Sequence, residues 1–160
     1  MDAFLEELSD EAFRRAEFYP MPSRWAAFAA KHTLDWTHIP FEAARRPDVP
    51  DEPGLYCFVV GLPPAALPPV GYPLYVGKTD RQLRTRFREY LAEKDDPGGR
   101  KRIRKILTVF QGELYFSCAP FAGSAAQRKA IETELHDALM PPYSDIGFTA
   151  EVRARRQAFP

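Results

Sequence analysis

Two short apolar stretches decide the fold: Gly54–Val60, which reads GLYCFVV, and Leu74–Thr79, which reads LYVGKT. Leu55–Val60 and Leu74–Val76 have the length and the aromatic and β-branched content of strands. The connection between them, Gly61–Pro73, contains five prolines, which exclude a central strand and indicate a stiff loop. The sequence therefore predicts an antiparallel pair of strands joined by this loop.

Helical and strand patterns alternate downstream of this pair. A last long helix has Ser124 and Gln127 as a capping box at its start and Pro141 at its end. The elements before it are a helix at Arg81–Leu91, a basic helix at Arg100–Phe110 and a strand at Glu113–Cys118. We therefore expect an α+β fold with a short, mostly antiparallel, three-stranded sheet flanked by helices.

The first fifty residues read as a helical and extended N-terminal extension. Leu5 and Leu8 have helical spacing, Ser23–Ala30 reads as a second helix, and Pro40–Pro53 is extended and rich in proline. Fifty residues bury too little surface for a core of their own, so their aromatics should pack against the next domain. The predicted organisation is an extension over 1–50, a domain over 51–150 and a basic C-terminal tail over 151–160.

The composition is that of a globular protein, with 45% hydrophobic and 28% charged residues. No apolar run approaches the roughly 20 residues of a membrane helix. Met1–Ser9 is acidic, unlike a signal peptide, and a cytoplasmic location without membrane contact is expected. Cys57 and Cys118 lie in strand-like stretches and are interpreted as buried free thiols.

Positive charge is concentrated in one segment of a chain whose net charge is zero. Lys78–Lys105 contains eleven basic and five acidic residues, so it carries +6 and the remainder carries −6. Such segregation is typical of a protein that binds a polyanion on one side. The alternative is a pair of ordinary solvated helix faces.

Four elements of the sequence, in order, resemble the signature of the GIY-YIG nuclease superfamily. They are Gly54-Leu55-Tyr56; Tyr75-Val76-Gly77-Lys78-Thr79; Leu83-Arg84-Thr85-Arg86-Phe87; and the set Glu132, Leu135, Pro141 and Tyr143. The resemblance covers roughly Pro53 to Gly147, about six tenths of the chain. The long proline-rich connection and the helix-rich insertion look more like the restriction endonucleases of that superfamily than its excision-repair or homing members.

The resemblance implies a metal-dependent DNA endonuclease that hydrolyses phosphodiester bonds, with one Mg²⁺ or Mn²⁺ ion per site. Glu132 would be the metal ligand, and Arg86 would present its planar fork of donors to the scissile phosphate. Lys78 would hold the attacking water or depress the pKa of a nearby phenol. Tyr56 is favoured over Tyr75 as the base that takes the water proton, which requires nearby positive charge.

Several alternatives stay open from the residues alone. Helical periodicity does not separate Glu132 from Glu134, and only the family spacing favours Glu132. Arg84 is a second candidate for the essential arginine, and both tyrosines could be ordinary sheet packing. The asparagine that closes the family's last motif corresponds to Ser144, and the histidine often found one turn after the arginine corresponds to Tyr90.

These two departures motivate a second hypothesis, a non-catalytic DNA- or protein-binding module on the same fold. A hydroxyl makes only one of an amide's hydrogen bonds, so Ser144 would keep a weakened supporting role. Tyr90, Gly54 and Gly77 complete the predicted supporting residues.

DNA, duplex or branched, is the expected partner, bound largely through its phosphates. No helix-turn-helix or zinc finger is recognisable that would add sequence specificity. Arg153, Arg155 and Arg156 either add a phosphate contact or lie in a frayed tail. A homodimer or a partner protein bound through the N-terminal extension is a further hypothesis. The predicted DNA-binding residues are Arg81, Arg84, Arg88, Arg100, Lys101, Arg102, Arg104 and Lys105.

Overall fold

The computed structural model of the protein describes residues 3–62, 70–144 and 150–158. Most of the predicted proline-rich loop, residues 63–69, lies outside the described residues. The elements in chain order are α1 (Ala3–Arg14), α2 (Pro22–Lys31), β1 (Thr37–Pro40), a 3₁₀ helix (Ala43–Asp48), β2 (Gly54–Gly61), β3 (Gly71–Thr79), α3 (Leu83–Asp95), α4 (Lys101–Val109), β4 (Leu114–Pro120), α5 (Ala125–Leu139) and α6 (Ala150–Ala158). The predicted α+β class is confirmed.

One antiparallel sheet of four strands, in the order β1-β4-β2-β3, organises the fold. The predicted number of three strands is wrong, whereas the predicted antiparallel pairing of β2 with β3 is confirmed. β2 is central, and its side chains alternate between two cores because successive residues of a strand face opposite ways. Leu55 and Cys57 pack with α2 and α5, whereas Tyr56 and Phe58 pack with α3 and α4.

The strand that the sequence does not reveal is β1. It lies inside the stretch expected to be helical and extended, and it pairs with β4 so that Ile39 is opposite Phe116. Ile39 is its only fully buried residue, and an exposed Thr37 and a terminal Pro40 flank it. Four residues with one buried side chain show no alternation of buried and exposed positions. The strand therefore forms because it pairs with β4, and its local sequence does not predict it.

The N-terminal elements pack on the sheet domain, as expected for segments too short to form their own core. Phe13, Phe18 and Phe41 contact the core on the α3–α4 side. The Phe13 ring stacks on Tyr143 with 4.7 Å between centroids. At the other end of the chain, residues 150–158 form α6, so the described part of the predicted basic tail is helical rather than frayed.

Arg84 fixes the start of α3 against the segment that precedes β2. Its Nε donates to the carbonyl of Val49 at 2.9 Å, its Nη2 donates to the carbonyl of Pro47 at 3.1 Å, and its Nη1 pairs with Asp51. These contacts occupy the whole guanidinium. Arg84 is therefore an anchor between two segments of the fold, and this placement separates it from the tyrosines of β2 and β3.

Candidate active site

A cavity of about 270 Å³ opens between the outer strand β3 and helices α4 and α5. Its lining includes three cationic side chains, one carboxylate, two phenols and one imidazole. Five of the predicted site residues line it, namely Tyr75, Arg100, Arg102, Glu132 and Ser144. Lys129 and His136 also line it, and neither is predicted from the sequence.

Packing of α2 resolves the ambiguity between the two glutamates of α5. The Glu132 side chain is 12% exposed, and its Oε2 accepts a hydrogen bond from Lys129 at 2.7 Å. Glu134 faces α2 instead, where it pairs with Lys31 at 2.7 Å and with His32 at 2.6 Å. Only Glu132 lines the cavity, so it is the carboxylate available to the site.

Arg86 and two phenols form a hydrogen-bonded cluster on α3 and β2. Arg86 Nε donates to the Tyr56 hydroxyl at 3.2 Å and Nη2 donates to the Tyr90 hydroxyl at 3.2 Å. The two hydroxyls lie 2.8 Å apart, and Nη1 donates to Glu89 at 3.0 Å. All three guanidinium nitrogens are thus engaged, and Arg86 does not line the cavity. Its geometry suits a residue that holds the tyrosines in place.

The phenols of this region hold their protons more strongly than a free tyrosine. Burial raises the pKa of Tyr56, Tyr75 and Tyr90, and the nearby Arg86 guanidinium only partly opposes that rise. The general-base role expected for Tyr56 requires the opposite direction. Tyr56 is also only 1% exposed and does not line the cavity. Of these three tyrosines, Tyr75 lines the cavity, and its raised pKa keeps the phenol protonated at neutral pH.

Arg100 closes the side of the cavity where α4 begins. Its Nε and Nη2 donate to the two oxygens of Glu93, each at 2.8 Å, and its guanidinium lies 5.6 Å from the ring centroid of Tyr90. Arg102 donates to the carbonyl of Tyr143 at 3.4 Å. Arg100 at the N-cap of α4 and Arg102 in its first turn thus both line the cavity.

Lys78 lies elsewhere than the resemblance implies. It is three residues from Tyr75 on β3, so its side chain leaves the opposite face of the strand. Its ammonium pairs with Asp80, which also accepts a hydrogen bond from Arg128 Nε at 2.9 Å. Lys78 does not line the cavity. This placement gives no support to the expected contact of Lys78 with the attacking water or a phenol.

His136 is a buried residue of α5 that the sequence does not single out. It is 3% exposed, and its Nδ1 lies 2.9 Å from the carbonyl of Glu132. Burial lowers the pKa of His136, so the imidazole is neutral at pH 7. A histidine four residues after the candidate glutamate shares its helix face, and that spacing is the signal that points to it.

Three predicted supporting residues pack around the site: Ser144 after α5, Gly77 on β3 and Gly54 on β2. The Ser144 hydroxyl is buried and accepts a hydrogen bond from the Val76 amide at 3.5 Å, a long contact. At Gly77 a Cβ would lie 2.5 Å from the Tyr56 ring and hydroxyl, and at Gly54 it would collide with the carbonyl of Ala119. Glycine at both positions is therefore required by close packing.

Most of the predicted phosphate-binding cations are already engaged within the protein. Arg81 pairs with Glu89 at 2.7 Å, Lys105 pairs with Asp10, and Arg104 donates to the carbonyl of Pro97 at 3.3 Å. In the described part of the chain, Arg88 and Lys101 make no hydrogen bond or ion pair through their side chains. Both are exposed, so they are the members of the set most available to a polyanion.

Glu132 supplies the one carboxylate among the described side chains that line the cavity. Glu132 lines the cavity and uses Oε2 for Lys129, which leaves Oε1 as the oxygen that would bind a cation. Magnesium is often held by one or two carboxylates, with water and substrate phosphate completing its coordination. Over residues 3–62, 70–144 and 150–158, no three His, Cys, Asp or Glu side chains are grouped as a metal site. Glu132 would therefore be the principal protein ligand.

Comparisons with protein-family models, with curated proteins and with solved structures find no match for this chain. Over the part of the chain that the structure describes, the helices are too short or too polar to cross a bilayer.

Proposed function

We propose that this protein is a metal-dependent DNA endonuclease with a GIY-YIG-like fold. The observation that carries the proposal is convergence: Tyr75 from β3, Glu132 from α5 and Arg100 from the start of α4 line one cavity. Next to them, Arg86 binds the hydroxyl of Tyr56. Two adjoining clusters, with Arg100 beside them, thus hold four residues of the segments that resemble a nuclease signature: Tyr56, Tyr75, Arg86 and Glu132.

Each of these side chains has a separate role in phosphodiester hydrolysis. Arg100, Arg102 and Lys129 supply positive charge to a phosphate in the cavity, where stabilisation of the developing charge contributes most to rate. Tyr75 donates a hydrogen bond from its protonated hydroxyl. Arg86 acts through Tyr56 and Tyr90 as a positioning residue. A Mg²⁺ or Mn²⁺ ion on Glu132 would supply Lewis-acid stabilisation and a water of lowered pKa when bound.

Plasmid nicking in the presence of Mg²⁺ tests this proposal with a matched pair of variants. Glu132→Gln removes the charge of the carboxylate in the cavity, and we expect a loss on the order of 100-fold, the scale of single groups that stabilise transition states. Glu134→Gln makes the same change two residues away against α2 and should leave cleavage near the wild-type rate. Equal activity of both variants would remove Glu132 from the site. No cleavage of duplex, branched or single-stranded DNA by the wild type would refute the activity.

A DNA- or protein-binding module without catalysis is the second candidate. Two observations favour it: the long hydrogen bond from the Val76 amide to Ser144, and the raised pKa of Tyr56 and Tyr75. Salt-dependent DNA binding that is indifferent to Mg²⁺, together with no cleavage, would support the module. Cleavage that requires Mg²⁺ and Glu132 would eliminate it.

A further inference from the structure

Both tryptophans of the chain, Trp25 and Trp36, line a second cavity of about 250 Å³. It lies on the face of the sheet that α2 and α5 cover, away from the cluster around Tyr56. Trp25 stacks on Phe28 with 5.6 Å between ring centroids, which fixes its position on α2. Trp36 comes from the segment just before β1. The cavity is thus walled by two indoles that belong to different elements.

A polar pair lines this cavity. His38 Nδ1 is 2.7 Å from the hydroxyl of Ser117, its cross-strand partner on β4. Ser117 is 2% exposed, and Cys57 faces it from β2. Burial raises the pKa of the Cys57 thiol to about 12, so that wall is uncharged. No Lys, Arg, Asp or Glu lines the cavity. It therefore suits an uncharged, flat group with a hydrogen-bonding edge.

This cavity and the candidate active site share helix α5. Leu139 lines the tryptophan cavity and His136 lines the site, roughly 4.5 Å apart along the helix axis. On β3, Pro73 pairs with Val59 and Tyr75 pairs with Phe58 across a bulge, so these two lining residues lie on opposite faces of the sheet. The two cavities are therefore neighbours along one turn of α5.

We propose that the tryptophan cavity binds the base of an unpaired nucleotide adjacent to the phosphate in the active site. This inference rests on the proposed function and assigns its substrate class: DNA with an unpaired base next to the cleaved bond. The ring stacks against the indoles, and its edge meets His38 and Ser117. Base–aromatic stacking at this scale corresponds to roughly tenfold or more in affinity.

Intrinsic fluorescence isolates the cavity because the chain has no other tryptophan. The full-length protein in EDTA, where cleavage is blocked, is titrated with a duplex that carries one unpaired thymine and with the same duplex carrying an abasic residue there. We expect quenching and about tenfold tighter binding with the thymine. His38→Ala and Ser117→Ala should shrink that preference, whereas Glu134→Gln should keep it. Thermal unfolding of each variant separates loss of the fold from loss of binding.

A second variant serves as a control in case substitution of His38 or Ser117 disrupts the fold. Trp36→Phe keeps an aromatic ring and leaves Trp25 as the only reporter, so quenching by the unpaired thymine should persist. Equal affinity for the thymine and abasic duplexes, with unchanged emission, would overturn the proposal. Quenching by a tyrosine-containing peptide but not by the thymine duplex would assign the cavity to a protein partner and overturn it as well.

The outcome is separable from that of the nuclease proposal. Cleavage of plasmid DNA without any preference for the unpaired base would refute the cavity assignment alone. A base preference without cleavage of any substrate would refute the nuclease and leave base recognition by this cavity supported.

Discussion

The hydroxyl of Tyr56 lies within hydrogen-bonding distance of both Tyr90 and Arg86, in a place that solvent barely reaches. Each member of this cluster satisfies the others, so removing one leaves a buried polar group without its partner. Such a loss costs roughly 1–3 kcal/mol for a neutral group and more for a charged one. At the residue scale, the tyrosine of the GLY motif is a structural part of the site whose position Arg86 fixes.

Alkaline pH should destabilise the protein through these phenols. In the unfolded chain a tyrosine ionises near pH ~10, whereas burial raises the pKa of Tyr56, Tyr75 and Tyr90 in the folded state. The unfolded state therefore binds fewer protons above that pH, and the free energy of unfolding falls as pH rises from about 10 toward the folded-state values.

Urea unfolding between about pH 8 and pH 11 measures this effect. The stability from the raised phenol pKa values should be complete at pH 8 and partly lost at pH 11. Tyr90→Phe removes one titrating group and should show a shallower fall over the same range. A free energy of unfolding independent of pH across that range would show that these phenols are not protected.

Gly77→Ala tests the close approach of β3 to Tyr56. The added Cβ would lie 2.5 Å from Tyr56 Cζ and Oη, so the ring must move out of contact with Arg86. Overpacking of this kind costs typically 1–3 kcal/mol, and we expect cleavage to fall with stability. Gly98→Ala is the control, since its Cβ meets Asp96 only at 3.4 Å. Equal thermal stability of the two variants would contradict this account of Gly77.

At the scale of elements, the sequence predicts the helices and strands whose own residues show a hydrophobic or capping pattern. The apolar run of β2, the helical stripe of α3 and the capping box of α5 are local, and all three are found. β1 could not be predicted because its single buried residue, Ile39, acquires meaning only from its partner Phe116. A strand that depends on pairing with a distant segment cannot be recognised from its own four residues.

The same distinction explains which parts of the site were predictable. Tyr75 and Glu132 could be placed by motif, whereas the choice between Glu132 and Glu134 depends on α2, which packs on one side of α5. Likewise, Arg86 rather than Arg84 binds the tyrosines because Arg84 is held by Val49 and Asp51, residues distant in sequence. Side-chain partners from remote segments decide these roles.

Ser124→Ala should weaken the start of α5. The Ser124 hydroxyl accepts from the Gln127 amide at 3.2 Å, and the Gln127 side chain accepts from the Ser124 amide at 2.7 Å. Loss of such a cap costs about 1 kcal/mol. Ser124→Asp keeps an acceptor at the same position and should retain most of the stability. Chemical denaturation of both variants measures the difference, and equal losses would show that the hydroxyl does not cap the helix.

Across the whole molecule, the +6 of Lys78–Lys105 is partly neutralised within the fold. Asp51 and Asp10, which lie outside that segment, pair with Arg84 and Lys105 respectively. Asp10 belongs to the acidic helix α1, which packs on the basic helix α4. The charge offered to a polyanion is therefore smaller than the sequence indicates, and it is centred on the exposed cations that lack an internal partner.

Arg88 and Lys101 should dominate non-specific DNA affinity for that reason. Arg88→Gln and Lys101→Gln each remove one exposed phosphate contact, so binding should weaken uniformly across DNA sequences. The slope of log affinity against log salt should fall by about 1 for each change. Lys31→Gln is the matched control, because Lys31 pairs with Glu134 on the α2 side. Fluorescence anisotropy over a salt series gives the slopes. A slope that Lys31→Gln changes as much as Lys101→Gln would place the DNA elsewhere on the molecule, since counterion release counts only the phosphates that a cation neutralises.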